Sequence, residues 1–553
     1  MPNYLHIDRL APGWRRLLGR AALLLAALGA AWLVSQFIVD SDWTSLGLAF
    51  GALAGLAVAV KVLNDWRQGL YIFFGWLFFE DLVRKYLGNN MVVYFAKDFL
   101  VILVYISFFA ARRRHKDIAV FKPPFLMPLL LLVWFALGQV FNPASTSVLF
   151  GFLGLKLYFL YVPLMYLGYA LMDSEKDLRR FFMFNAVLLL VVAGLGIAQA
   201  IIGPTFLNPG TLQEDIRESA SLYRVSPITG QVAYRPPSVF VSAGRFQNLI
   251  ITSWIILIGF GGYLLLRSKK GRTIVFTTIG VLAGAAVMST SRGVMMWCGG
   301  STLVIVAAFL WGASWKQKEV TRVFRSLQRV ALLGGLTILA LAVIFPEQVG
   351  SRFAIYAETL SPYSPTSELA HRTRDYPLRN FLGAFDTPRW PYGYGTGTAS
   401  LGGQYISRIL HIQGTGVAVE NGYGQLVIEM GVVGLLLWLV LGLSVCASAW
   451  KLVKSLHGSP WFPLAFVIFW LMFLTFFPMG YNSVIFFQDF IVNAYLWILL
   501  GVLFRLPKLA LSAPFAPAVR AHAELASQAN RQPAFPTMAR DPGSAALANR
   551  NEN

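Results

Sequence analysis

The sequence predicts an all-α polytopic membrane protein: about fourteen transmembrane helices, with two long outer loops capping an outward-facing cleft. Three observations carry that prediction. The 553 residues are 56% hydrophobic and only 13% charged, where a soluble domain carries about a quarter charged residues. Apolar runs long enough to cross a bilayer recur along the chain. Basic residues also collect in alternate connections between those runs, as the positive-inside rule requires of a membrane protein. A net charge of +20 would otherwise point to nucleic acid. Its distribution assigns it to membrane topology, so the expected partner is the lipid bilayer and no nucleic acid is expected.

The runs fall at 17–38, 46–63, 69–87, 92–110, 124–141, 150–172, 181–203, 246–266, 273–290, 293–312, 330–346, 425–449, 461–479 and 484–504. The third is the weakest, because Glu80, Asp81, Arg84 and Lys85 crowd its end. Arg15, Arg16 and Arg20 ahead of the first run resemble a signal-peptide start, but no small-residue cleavage site precedes Asp40, so a retained first helix is expected. Clusters such as Arg112-Arg113-Arg114-His115-Lys116 and Lys316/Lys318/Arg322/Arg325/Arg329 mark the cytoplasmic side, and the short outer connections hold neither Lys nor Arg. Both termini are thereby expected in the cytoplasm. The organisation follows: N-terminal transmembrane helices 1–203, a first outer loop 204–245, central helices 246–346, a large outer loop 347–424, C-terminal helices 425–504, and a disordered cytoplasmic tail 505–553 rich in Ala, Pro and Asn.

The two outer loops contain Arg217, Arg224, Arg235, Arg245, Arg352, Arg372, Arg374, Arg379, Arg389 and Arg408 and no lysine, although the chain has 14 Lys beside 32 Arg. Arginine's planar fork holds phosphate oxygens in pairs, which lysine cannot do, so a phosphate-bearing ligand fits this bias. The plain alternative is surface salt bridges with Glu214, Asp215, Glu358 and Asp375. Ionisable residues within spans point to the same face. Lys97, Asp98, Lys156, Glu429 and Asp489 all fall in outer helix halves, which reads as an outward-opening polar cavity. Snorkelling is the alternative for the two lysines. Arg292 sits in a tight hairpin, Met288-Ser289-Thr290-Ser291-Arg292-Gly293, and there needs an anion or interfacial water. Cys298 and Cys446 lie in apolar runs with no metal-type spacing, so neither metal nor cofactor is expected.

The polar chain enters its next membrane helix through Val419-Glu420-Asn421-Gly422-Tyr423-Gly424-Gln425, followed by Glu429-Met430-Gly431-Val432-Val433-Gly434. This stretch resembles the helix-opening motif of the bacterial O-antigen ligase and polymerase family: a His-Asn pair, then Leu/Gln, an acid and Gly-(Ile/Val)-x-Gly. Glu420 stands at the family's His position. Three further pieces resemble the family in order. They are Arg235-Pro236-Pro237-Ser238-Val239-Phe240 (like Arg-x-x-Gly-x-Phe, with the Gly missing), Ser291-Arg292-Gly293, and Arg372/Arg374 ahead of Pro391-Tyr392-Gly393-Tyr394-Gly395-Thr396-Gly397 (like Arg…Pro-x-x-Gly-x-Gly). Arg379 is a third candidate for that last arginine. The glycine run follows no strand of a βαβ unit, so a dinucleotide fold is rejected and a backbone-flexible turn is read.

The resemblance implies a glycosyltransferase of the bacterial inner membrane with a periplasmic site. It would move a saccharide from an undecaprenyl-diphosphate carrier to a saccharide or lipid A core hydroxyl, as a surface-polysaccharide polymerase or a ligase. Arg235, Arg292, Arg374 and Arg372 are then the expected diphosphate ligands. Glu420 is the expected general base, able to act if desolvation raises its pKa, with His371 and His411 as alternative bases. Asn421, Tyr423, Gln425 and Glu429 are expected to line the acceptor side. The plainer reading of Glu420 is a helix cap or an arginine's ion partner. A transporter or flippase for a lipid-linked or polyanionic substrate is the second functional reading.

Overall fold

The computed structural model describes residues 43–87, 90–209, 222–226, 230, 232–268, 270–313, 328, 332, 334–360, 371–400, 407, 411, 419–482 and 488–512. The expected first span, Arg217, Arg408 and the chain from 513 onward lie outside them; residues 505–512, expected in a disordered tail, instead continue the last helix. In order the elements are α1 Trp43–Asn64, α2 Trp66–Tyr86, α3 Met91–Arg114, α4 Leu126–Val140, α5 Val148–Phe159, α6 Leu164–Leu171, α7 Glu175–Ile202, β1 Tyr223–Val225, β2 Val232–Tyr234, α8 Ala243–Arg267, α9 Arg272–Met288, α10 Arg292–Gly312, α11 Pro346–Leu360, α12 Tyr376–Gly383, α13 Gly422–Ser455, α14 Phe462–Phe476, α15 Pro478–Asn482 and α16 Phe490–Ser512. Eight helical stretches among the described residues are long and apolar enough to cross a membrane. A ninth is possible in the pair Gly334–Ile344 and Pro346–Ala357, bent by 118°.

This is an all-α membrane architecture, although the sequence expectation of fourteen spans is met only in part. Leu126–Val140 and Arg272–Met288 are apolar but shorter than a full span, and α2 is helical but carries Glu80, Asp81, Arg84 and Lys85 toward its end. The segment that opens the large loop, residues 346–360, is helical after the sharp bend.

The chain divides into two units, 1–73 with 99–115, and 74–98 with 116–553. In the first, Trp66 and Phe108 meet edge to face at 5.0 Å, and Ser107 donates to the Leu63 carbonyl at 3.1 Å. In the second, helices approach through glycine. A side chain at Gly501 of α16 would lie 2.0 Å from the Met165 carbonyl oxygen on α6, and one at Gly259 of α8 would meet Val467 of α14. Small residues at crossings let membrane helices gain dispersion contacts that lipid cannot supply.

The second unit buries a lattice of charges. Lys97 pairs with Glu80 at 3.0 Å, Lys156 with Asp98 at 2.5 Å, and Arg245 with Asp81 at 2.6 Å. Arg84 lies 3.5 Å from Asp81, and the Phe490 ring sits beneath both Lys97 and Arg245. Asn248 donates to Asp489 at 3.2 Å. Lys97, Asp98, Lys156 and Asp489 therefore serve internal pairs rather than lining an open cavity, because each partner arrives from another helix. Arg245, counted with the loop arginines, belongs to α8 and to Asp81.

Asp81→Ala is expected to strand Arg245 and Arg84 and to cost about 3 kcal/mol, at the low end for a buried pair because the Arg245 side chain is 24% exposed. Thermal unfolding in detergent would read this as a clear fall in melting temperature, with part of the loss recovered in Asp81→Leu/Arg245→Met.

Candidate functional site

The first outer loop folds back as a short antiparallel hairpin in which Arg224 pairs with Ala233 and Tyr223 with Tyr234. Side chains alternate along a strand, so Arg224 and Arg235 fall on one face as diagonal neighbours. The ladder is extended by the Arg235 N–H, which donates to the Leu222 carbonyl at 2.7 Å. Like charges on one face repel, and both burial and the Arg224 guanidinium hold Arg235 below the usual arginine range. Burial likewise pushes the Tyr234 phenol up.

The hairpin is fastened to the α9–α10 turn. Thr290, at φ 55°, donates to the Tyr234 carbonyl at 3.1 Å, and Arg352 of α11 donates to the same oxygen at 3.1 Å. Arg352 also donates to Met288 O at 3.2 Å and to Gln348 O. Ser291 caps α10 by accepting from the Val294 N–H, which makes Arg292 its first residue. A cation there opposes the helix dipole, while an anion beside it would be favoured. The segments that carry Arg224, Arg235, Arg292 and Arg352 thus meet around one turn. Among the described residues neither Arg235 nor Arg352 has a carboxylate partner; Arg235 donates to the Gln247 amide oxygen at 3.2 Å and Arg352 to main-chain carbonyls.

Ser238, where the resemblance expects glycine, has φ 55°, the left-handed conformation a glycine adopts freely. Its N–H donates to Gln199 at 2.6 Å, its hydroxyl to Val192 O at 2.8 Å, and its carbonyl accepts from Lys85 at 3.0 Å. These bonds hold the conformation that serine by itself disfavours.

Glu420 stands on a second cluster. It is exposed and accepts a hydrogen bond from the Tyr376 hydroxyl, while its N–H donates to Asn380 at 3.1 Å. The His371 ring lies 5.9 Å from that of Tyr376, which puts His371 on the same edge. Arg374 is exposed in the π-turn His371–Asp375, directly ahead of Tyr376. Arg372 shares that turn, and Arg379 lies exposed on α12. His411 is exposed with φ 51° and joins no described cluster.

The cap of α13 is Asn421, not Glu420. Its side chain accepts from the Gly424 N–H at 2.8 Å and donates to Pro377 O at 3.0 Å. Asn421, Gln425 and Glu429, expected to line the acceptor side, are fully buried and bond to the protein itself. Tyr423 is half-buried and donates to Phe476 O at 2.9 Å.

Glu429 explains why an acid and the glycine run occur together. Its carboxylate accepts from the Gly397 N–H at 2.9 Å, the Tyr158 hydroxyl at 2.9 Å and Gln425 at 3.2 Å. The α13 main chain breaks at Gly431 (φ 68°), and the exposed Ile428 and Glu429 carbonyls accept from Tyr394 and Gly395 at 2.7 and 2.9 Å. Gly393, Gly395 and Gly397 all have positive φ, and a side chain on Gly397 would lie 2.1 Å from Phe150 O. What reads in sequence as a flexible turn is an anchored one.

Comparison of the sequence with protein-family models and with curated proteins finds no match. The residues missed from sequence are Arg352 and Arg224 as site members, and Tyr376 and Asn380 as Glu420's partners. The arginine bias of the loops held a signal for the first two; nothing marked the others.

Gly397→Ala is expected to release the turn, at a local cost of about 2 kcal/mol or more from the strained φ and the backbone clash. Limited proteolysis should then cut the large loop at least tenfold faster than in the native protein; unchanged cleavage would remove Glu429's anchoring role.

Proposed function

We propose that the protein is a membrane glycosyltransferase of the O-antigen ligase or polymerase type. It transfers a saccharide from an undecaprenyl-diphosphate-linked donor to an acceptor hydroxyl at the periplasmic face of the bacterial inner membrane. The observation that carries this reading is the meeting of the segments that bear Arg224, Arg235, Arg292 and Arg352 around one turn, at an α-helix N-terminus.

Arginines at one turn, with no carboxylate partner for Arg235 or Arg352 among the described residues, favour a multiply charged anion, and a diphosphate leaving group supplies one. In the reaction the acceptor oxygen bonds to the anomeric carbon as the bond from that carbon to the diphosphate oxygen breaks. The departing diphosphate gains charge that the arginines stabilise, and the acceptor's proton passes to a base. Glu420 is the candidate for that role, with one carboxylate oxygen oriented by Tyr376. It is exposed, so the desolvation expected from sequence is not supplied by the protein and would have to come from the bound substrates. His371, one ring away, is the alternative base. Arg374 and Arg372 belong to the Glu420 edge and would meet the acceptor or the donor's sugar.

A transporter or flippase is the second reading, and one observation favours it: α13 is interrupted at Gly431, and broken helices are common at transport sites. The break is occupied by the Gly393–Gly397 turn, which gives it a structural use.

Glu420→Gln should lower transfer at least a hundredfold with folding and donor binding intact. Arg235→Ala should weaken donor binding by about 2 kcal/mol, the worth of a charged hydrogen bond. Both are measured with purified protein and lipid-linked donor. A gel of surface polysaccharide from a strain lacking the protein separates the readings. Loss of the ladder with one repeat remaining means polymerase, and accumulation of lipid-linked chains means ligase. An unchanged profile for every surface glycan favours the transporter.

A further inference from the structure

Beside Glu420 lies a feature that the transfer chemistry does not use. Five aromatic rings, four from the α13 start and the large loop and one from α15, follow one another in edge-to-face or tilted contacts. Tyr423 meets Tyr481 at 5.8 Å, Tyr481 meets Phe381 at 6.0 Å, Phe381 meets Phe385 at 5.2 Å, and Phe385 meets Trp390 at 5.5 Å. None of the five is buried, and Trp390 is 39% exposed. The run begins three residues from Glu420 in sequence, and α12 contributes to both features. Its Tyr376 and Asn380 reach Glu420, while its Phe381 reaches Tyr481.

We propose that these rings form a shelf that binds a neutral saccharide chain, placing it beside Glu420 as the acceptor. The surroundings select this occupant. Sugar rings offer apolar C–H faces and hydroxyl edges together, and such ligands need aromatic faces interleaved with hydrogen-bonding groups. The shelf has both: Tyr376, Asn380 and Glu420 at one end, and exposed Asp386 and Arg389 on the segment leading to Trp390. An acyl chain would leave those polar groups unpaired, and their mixed signs do not select an anion. The identity of the ligand as an acceptor rests on the glycosyltransferase reading; the saccharide site itself does not.

The test uses the full chain in lipid nanodiscs, titrated calorimetrically with short lipid-free oligosaccharides released from the host's own surface polysaccharide. Saturable binding is expected, weakened at least tenfold in Trp390→Ala and Tyr481→Ala and kept within about twofold in Trp390→Phe, which preserves a ring face. Melting temperatures of the variants, measured alongside, exclude simple unfolding. Unchanged binding in both alanine variants overturns the shelf, as does absence of binding in the native protein. If the native protein transfers sugar from a lipid-linked donor without binding the oligosaccharide, the shelf fails and the enzyme stands. If it binds but never transfers, the enzyme reading fails and the saccharide site stands. A defect confined to stability in nanodiscs, with oligosaccharide affinity intact, would identify the rings as an interfacial anchor and reject the proposal.

Discussion

The three hydrogen bonds accepted by the buried Glu429 carboxylate tie together everything near the candidate base. One comes from the Gly397 main chain, one from Tyr158 on α5, and one from Gln425 a turn earlier on α13. A carboxylate at full burial is tolerated only when its lone pairs are met, so the glycine turn is a requirement of Glu429 as much as the reverse. The break at Gly431 supplies the remaining bonds by freeing carbonyls that an unbroken helix would have used itself. Rigid placement of the α13 start follows, with the Asn421 cap and, one residue outside it, the open carboxylate of Glu420.

A second constraint acts through Asp81. It receives Arg245 at 2.6 Å and the Val241 N–H at 3.3 Å, while Lys85, one turn along α2, holds the Ser238 carbonyl. These bonds fix the return of the first loop into α8, the segment that follows Arg235. Burying such charges is expensive, and replacing them by apolar groups often stabilises a protein. Their use here is geometric: they hold a strained loop, with Ser238 at φ 55°, against helices that hydrocarbon packing alone would let slide.

Much of the architecture was legible because membrane insertion writes it locally, as apolar length and charge at the ends. The caps Ser291 and Asn421 also stood where polar residues preceded apolar runs. Partnerships between distant residues were not legible. Lys97, Asp98 and Lys156 looked like cavity residues because their partners, Glu80 among them, are set by helix packing rather than by spacing. Arg352 looked like any loop arginine until the bend before Pro346 returned its helix to the α9–α10 turn. Tyr376 carried no mark at all, since its bond to Glu420 spans 44 residues of loop.

The two charge populations explain each other. Glu80, Asp81, Asp98 and Asp489 are each engaged within the lattice by a cation or an amide. Had they instead been drawn toward the loops, Arg235 and Arg352 would be ordinary ion-pair partners, and exposed pairs of that kind contribute little and bind nothing. Withdrawing the acids leaves guanidinium groups bonded to an amide oxygen and to main-chain carbonyls, which orient them without cancelling their charge. An orienting neutral partner beside an uncancelled charge is the preorganisation that electrostatic stabilisation of a leaving anion requires. In the proposed enzyme that orientation would serve the departing diphosphate, while the lattice acids stay engaged with their own partners.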